Sequence, residues 1–214
     1  MRRLLIGFTL LIFFSCNSNS YHISKDEKIA DEIMHRVAKK LCRERGLIPI
    51  GTGGRMMNEI KMLALSFNYD KTITIDEARE LLIYSVNEFV SEINACEEIR
   101  QYLYNFPFES RNVQVRIFLL NPDHRKVGTG ELSIISSIDG VFEYEIDAPD
   151  GKKLITVQKE TYEEAVQNLT KAIEGGFVDP GAAEGDVGFD RAVVVGAAGG
   201  DPALLLSELD PGKL

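Results

Sequence analysis

The chain has 214 residues, of which 44% are hydrophobic and 27% are charged, so it can bury a packed core. The length fits one domain of ordinary size with room for an appendage. A formal net charge of -9 and a pI near 5.0 exclude a general nucleic-acid binder, because neutralising phosphates requires clustered Lys and Arg. The sequence also contains no polybasic segment that would attract anionic lipid.

The chain begins with two arginines and an apolar run that ends at a cysteine. Arg2 and Arg3 precede the run from Leu4 to Phe14, which is about eleven residues long, and Ser15-Cys16 follows. A positive start and a short apolar run are the layout of a secretory signal. Because a membrane-spanning helix needs about twenty residues, the run is too short for a permanent transmembrane anchor.

The segment from Met1 to Cys16 resembles a bacterial lipoprotein signal with a lipobox. The resemblance implies that Cys16 carries a diacylglyceryl group on its sulfur and becomes the first residue after cleavage behind Ser15. Phe13 and Phe14 stand where the family usually has Leu and a small residue. Two other interpretations stay open, namely an ordinary signal cleaved nearby and an uncleaved hydrophobic helix.

Lipidation would hold the protein on a membrane surface, since each buried methylene contributes about 0.8 kcal/mol. We therefore predict a signal peptide at residues 1–15 and a lipid-anchored polar tether at residues 16–23. Asn17 follows the cysteine, where lipoproteins retained at the inner membrane of enteric bacteria tend to have Asp. The resemblance thus implies a place in the cell envelope, with the outer membrane favoured over the inner membrane.

Residues 24–174 are predicted to form a single α+β domain that begins with a helix. Four apolar residues at four-residue spacing form a stripe from Ile29 to Leu41, which is typical of an amphipathic helix. Ser24 can cap the start of this helix, and Gly46 can end it.

Two further helices are predicted before residue 105. A glycine-rich connector at 47–54 leads to a second helix over residues 55–67. Thr74 and Glu77 form a capping box that opens a third helix. A short continuation at 96–104 follows, so residues 24–105 are expected to be helical.

Beyond residue 106 the apolar period changes from helical to alternating, which indicates strands. Asp139-Gly140 is typical of a two-residue hairpin turn. A last helix begins at Thr161, where Glu164 completes another capping box. The predicted fold is α+β, with an N-terminal segment of about three helices, a four-stranded antiparallel meander and a covering helix within residues 106–174.

The last forty residues, 175–214, have a different composition, rich in Gly, Ala and Asp and poor in aromatic residues. We interpret them as a flexible acidic tail. Two apolar islands, at 192–195 and 203–206, leave open an added edge strand and a short helix. A segment that is not native to the gene is a third interpretation.

Once Cys16 is assigned to lipid, an even number of cysteines remains, namely Cys42 and Cys96. Outside the cytoplasm such a pair favours a disulfide, which here would close a loop of about 54 residues and contribute about 4 kcal/mol. The alternative is that both are small buried apolar residues.

Few segments suggest a site. Gly53, Gly54 and Arg55 precede the predicted second helix, where free N–H groups can hold an anion, although loop glycines alone would explain the pattern. The aromatic cluster at 102–108 is either a partner-binding patch or core filling at the junction of helix and sheet. The three histidines lie far apart, so we predict neither a metal nor another cofactor, and no catalytic motif is found.

These observations favour a lipid-anchored bacterial envelope protein that acts as a binding or structural module. Its expected partners are the membrane, through the lipid, and another envelope protein or surface component, but not nucleic acid. The alternative is an exported enzyme, such as a hydrolase, whose catalytic groups meet only in three dimensions. An intracellular protein with an uncleaved apolar start is the third interpretation.

Overall fold

A computed structural model of the protein describes residues 23–175. The predictions for the signal peptide, for Cys16 and its cleavage site, for most of the tether and for the tail after residue 175 lie outside these residues. One cluster of buried apolar side chains extends from Ile29 to Leu169, so the described elements share one core.

The described chain contains three α-helices, six strands and two 3-10 helices. In chain order they are α1 (Lys25–Arg45), β1 (Ile48–Arg55), β2 (Met62–Tyr69), α2 (Ile75–Ala95), 3-10 helices at Glu97–Tyr102 and Ser110–Asn112, β3 (Val113–Leu119), β4 (Leu132–Ile138), β5 (Val141–Asp147), β6 (Leu154–Thr161) and α3 (Tyr162–Gly175).

The six strands form one mixed sheet in the order β1-β2-β3-β4-β5-β6. β2 and β3 are parallel, and α2 connects them, whereas every other neighbouring pair is antiparallel. The three helices pack side by side over one face, with α2 in the middle. The α+β class fits this architecture, but the predicted four-stranded antiparallel meander is wrong, because the sheet is mixed and has six strands.

The predicted second helix is replaced by the hairpin of β1 and β2. Leu63, Leu65 and Phe67 are buried, and Ala64 and Ser66 between them lie on the other face. Leu63 and Phe67 are four residues apart and satisfy a helical stripe as well as a strand. The burial of Leu65 requires the period of two that a strand provides. The predicted division into a helical half at 24–105 and a sheet half at 106–174 therefore fails.

Helices α1 and α2 run antiparallel, as three side-chain contacts show. Glu44 accepts a hydrogen bond from Tyr84 at 2.6 Å, Lys40 pairs with Glu88, and Arg36 pairs with Glu92 at 3.5 Å. The partners step by four residues in opposite directions along the two helices. The start of α1 therefore lies beside the end of α2.

We call this end of the molecule the tether end, because the chain arrives there from the predicted tether. It also carries the hairpin loop at 56–61, the segment 97–112 and the turn at 139–140, since β1 and β4 finish there and β2, β3 and β5 start there.

Cys42 and Cys96 are both free thiols, the first exposed and the second partly buried. Given the contacts between α1 and α2, Cys96 lies about ten residues, or about 15 Å of helix, beyond the part of α2 that faces Cys42. A disulfide needs Cα atoms within about 7 Å. The structure therefore does not form the predicted bridge.

A buried ion pair joins α2 to β6, the outer strand of the sheet. The Arg79 guanidinium donates to Glu160 at 2.8 Å, with side-chain exposures of 7% and 5%. Glu160 also accepts from Tyr144 at 2.6 Å and from Asn168 at 2.8 Å, so it joins β6 to β5 and α3. Burial alone would raise the pKa of Glu160, but these three hydrogen bonds outweigh burial and lower it.

Within residues 23–175, no helix combines the length and the apolar character that crossing a bilayer requires.

Candidate functional site: a basic pocket at the tether end

A pocket of about 460 Å³ opens at the tether end, and we call it the basic pocket. Its lining residues are Arg55, Lys61, Tyr104, Asn105, Arg111, Asn112 and Asp139. Three cations and one carboxylate leave a formal charge of +2 on this lining, in a chain whose net charge is -9. The pocket therefore has the opposite sign to the molecule as a whole.

The hairpin of β1 and β2 places the first two cations. Arg55 is the last residue of β1 and pairs with Met62, the first residue of β2. The Lys61 N–H donates to the Arg55 carbonyl at 2.8 Å. The two side chains therefore leave from the base of the same loop. Gly54 allows the close approach of the strands, because a Cβ there would lie 3.0 Å from the Met62 carbonyl oxygen.

A pair of asparagines forms the floor of the basic pocket. The Asn112 side-chain amide donates to Asn105 Oδ1 at 3.0 Å and to the Lys61 carbonyl at 3.3 Å. Its Oδ1 accepts from the Glu109 N–H at 3.0 Å and from Asn105 at 3.2 Å. Asn112 is buried, and these hydrogen bonds all join it to other groups of the protein. Its role is to hold the segment 105–112 against the hairpin.

The cations above this floor are exposed and weakly held. Arg55 pairs with Asp139 at 3.2 Å, with side-chain exposures of 60% and 67%. Arg111 pairs with Glu109 at 2.8 Å, and the Lys61 ammonium lies 4.9 Å from the centroid of the Tyr104 ring. Exposed ion pairs contribute only about 0–1 kcal/mol. These side chains can therefore exchange their present partners for an anionic ligand at little cost.

The structure places the residues of the predicted anion site in a strand rather than at the start of a helix. Gly53 and Gly54 lie inside β1 and pair with β2, so they do not form a helix N-terminus. Arg55 contributes through its side chain instead. Sequence reasoning missed the other charged and amide groups of the basic pocket, which come from the hairpin loop, the segment 97–112 and the turn at 139–140. The alternation of Leu63, Leu65 and Phe67 was the signal that would have revealed the hairpin.

The aromatic cluster at 102–108 is partly buried and partly exposed. Phe108 is buried and Tyr102 packs against the core. Tyr104 and Phe106 are exposed, and each has a cation near its ring, Lys61 and Arg100 respectively. Two of the four rings therefore fill the core, and the other two face outward beside the basic pocket.

Among residues 23–175, a second pocket, of about 500 Å³, has the same formal charge of +2, from Lys126, Lys152, Lys153 and Asp147 at the opposite end of the sheet, but its lining contains no arginine and no asparagine. His124 Nδ1 lies 2.9 Å from Asp70 Oδ2 at the opposite end of the sheet, outside the basic pocket. His35 and Cys42 line a shallow groove between α1 and β1. They are seven residues apart on one helix, which is about 10 Å, and this exceeds hydrogen-bond reach. Among residues 23–175, no group of three or more His, Cys, Asp or Glu side chains is arranged to hold a metal ion.

The chain matches no protein-family model, and comparisons with curated proteins and with solved structures found no similar protein. The functional argument therefore depends on the residues and on their geometry.

Proposed function

We propose that this protein is a lipid-anchored bacterial envelope protein whose body binds an anionic group of an envelope component in the basic pocket. The observation that carries the binding proposal is the convergence of Arg55, Lys61 and Arg111 beside the Asn105–Asn112 pair in an acidic chain. The signal-like start that ends at Cys16 supports the place in the envelope.

The chemistry of the lining selects for carboxylate or phosphate oxygens. A guanidinium presents paired N–H donors in a plane, which match two oxygens of such a group, and an ammonium adds a compact charge. The cations of the lining favour an anion there, against the negative charge of the chain as a whole.

The same lining favours binding over catalysis. Asp139 is its single carboxylate, and the lining includes no His, Cys or Ser. Lys61 and Tyr104 are the other groups of the lining that can transfer a proton, and Asp139 is paired with Arg55 rather than with either of them. Cations and amides can hold and orient a ligand without proton transfer.

The anchor is tested by the intact mass of the protein from native membranes, with and without the Cys16→Ala change. We expect a chain that begins at Cys16 and carries acyl mass, and a variant without that mass that leaves the membrane fraction. A native chain that begins elsewhere and carries no lipid would refute the anchor.

The pocket is tested by calorimetric titration with inorganic phosphate of a chain that starts at Asn17, which retains the whole described core. Arg55→Gln and Lys61→Gln should each weaken phosphate binding by about tenfold, the effect of losing one charge-assisted hydrogen bond. Arg125→Gln is the control, because Arg125 forms an exposed ion pair with Asp123 at the opposite end of the sheet. Equal losses in all three variants would contradict a defined anion site.

A further inference from the structure

We infer that the tether end lies against the membrane and that the basic pocket receives the phosphate of a phospholipid headgroup. This inference depends on the proposed function and names its ligand class. Three independent features of the tether end support it: the position of the anchor, the exposed apolar side chains and the local charge.

The first feature is the position at which the chain would leave the membrane. Cys16 is seven residues before Ile23, so even a fully extended tether spans about 25 Å. The contacts of α1 with α2 place the start of α1 beside the end of α2, next to the segment 97–112 that lines the basic pocket. A lipid on Cys16 would keep this end of the molecule close to the bilayer.

The second feature is the set of exposed apolar side chains at this end. Met57 at the tip of the hairpin loop is 97% exposed, and Tyr104 and Phe106 are 60% and 50% exposed. Ile23, at the start of the described chain, is exposed as well. Aromatic rings favour the headgroup level of a bilayer, where one side of the ring is apolar and the other is wet. An apolar tip such as Met57 is stabilised by inserting its methylenes into the apolar layer of the bilayer.

The remaining exposed large apolar residues lie on strands. Ile48, Ile50, Leu154, Ile155 and Val157 lie on the first halves of the outer strands β1 and β6, towards the opposite end. They belong to the two opposite edges of the sheet rather than to loops. Among residues 23–175, the exposed large apolar side chains outside helices and strands all lie at the tether end: Ile23, Met57, Tyr104 and Phe106.

The third feature is the charge around these tips. Arg55, Lys61 and Arg111 line the basic pocket, and Arg100 lies 4.8 Å from the centre of the Phe106 ring. Acidic residues share this end of the molecule: Asp26, Glu27, Glu59, Glu97, Glu98, Glu109 and Asp139. The positive field is therefore confined to the pocket and is screened within about 10 Å at 0.1 M salt. It favours a phosphate in contact over a distant anionic surface.

A headgroup phosphodiester matches this arrangement. It carries one negative charge and two free oxygens, which an arginine and a lysine can share, and it lies at the level where Tyr104 and Phe106 would meet the acyl boundary. A soluble anion would use the cations but would leave Met57 and Phe106 without a partner. The apolar rim thus favours the lipid over a free phosphate.

The experiment measures binding of the chain that starts at Asn17 to vesicles by flotation. Vesicles of phosphatidylglycerol and phosphatidylcholine should bind the protein, and vesicles of phosphate-free galactolipid should bind it at least tenfold less. Met57→Ser and Lys61→Gln should each lower binding by about tenfold, and free phosphate should compete. Ile155→Ser is the matched control, because Ile155 is an exposed apolar residue at the opposite end.

A reporter variant checks the orientation. The chain contains no Trp, so Met57→Trp introduces a single fluorophore whose emission should shift to the blue on the phosphatidylglycerol vesicles, while that of Ile155→Trp should not. Both positions are exposed, so folding is preserved, and thermal unfolding verifies this.

The outcomes separate the two proposals. If inorganic phosphate binds but the vesicles do not, or if Ile155→Ser lowers vesicle binding as much as Met57→Ser, the membrane inference is refuted and the anion site stands. If neither inorganic phosphate nor the vesicles bind, the anion site of the proposed function fails together with the inference.

Discussion

Two arginine–carboxylate pairs in this protein have similar lengths but differ in burial. Arg79 and Glu160 meet at 2.8 Å, where both side chains are buried. Arg55 and Asp139 meet at 3.2 Å, where both are more than half exposed. The buried pair cannot lose one partner without leaving an uncompensated charge in the core. The exposed pair can open towards solvent at little cost, so burial rather than distance separates the two pairs.

The largest effect should come from breaking the buried pair. Glu160→Gln leaves Arg79 with only the exposed Asp76 as a charged partner, and we expect the free energy of unfolding to fall by about 3–5 kcal/mol. Urea unfolding measures this loss. Glu143→Gln is the control, because Glu143 pairs with the exposed Lys159 and should contribute less than about 1 kcal/mol. Similar losses in the two variants would remove the distinction that burial makes.

A second, smaller effect should come from the floor of the basic pocket. Asn112→Ala removes the side chain that bonds Asn105, Glu109 and Lys61, and we expect a loss of about 1–3 kcal/mol in unfolding free energy. Phosphate affinity should fall as well, because the cations lose their support.

Asn121→Ala is the control for the floor, since Asn121 donates one hydrogen bond to the Lys126 carbonyl in a turn at the opposite end. It should change stability by about 0.5 kcal/mol and leave phosphate affinity unaltered. Stable Asn112→Ala protein with normal affinity would show that the floor does not position the cations.

The contribution of the buried pair to the free energy of unfolding should depend on pH. The pKa of Glu160 is lowered in the folded state, so its stabilising contribution is fully present above the unfolded pKa of about 4.5 and is lost as pH falls through the folded pKa. One proton changes stability by at most about 1.4 kcal/mol per pH unit. The stability difference between the native chain and Glu160→Gln should therefore shrink as pH falls below about 4.5. Urea unfolding between pH 7 and pH 3 measures it, and a constant difference would refute this role of Glu160.

The smallest effect on stability should come from the exposed pair. Asp139→Asn should change the free energy of unfolding by no more than about 1 kcal/mol, because the pair is solvated and Asn tolerates the left-handed backbone found at Asp139. Phosphate should bind several-fold more tightly, since a competing carboxylate is removed. Calorimetry checks this, with Asp123→Asn as the control, and weaker binding would mean that Asp139 holds Arg55 in place.

Local sequence patterns predicted the elements whose signals are local. Ser24 and Gly46 bound α1, the capping box of Thr74 and Glu77 opens α2, and Asp139-Gly140 forms the turn between β4 and β5. Caps and tight turns depend on side chains only a few residues away, so one sequence is sufficient to predict them.

The prediction of the second helix was wrong because its local pattern fits two structures. Leu63 and Phe67 fit both a helical stripe and an alternating strand, and the glycines at 51–54 have little intrinsic preference for a strand. Their conformation was decided by pairing with β2, which in turn lies against β3, about fifty residues later in the chain.

The sequence by itself determined the caps, the hairpin turn at Asp139 and the apolar start that ends at Cys16, because each of these depends on neighbouring residues. Only the tertiary structure decided that Arg55, Lys61 and Arg111 meet at one end and that Arg79 reaches Glu160. These contacts join segments up to about eighty residues apart, and long-range strand pairing and helix packing, which leave no local signal, bring those segments together.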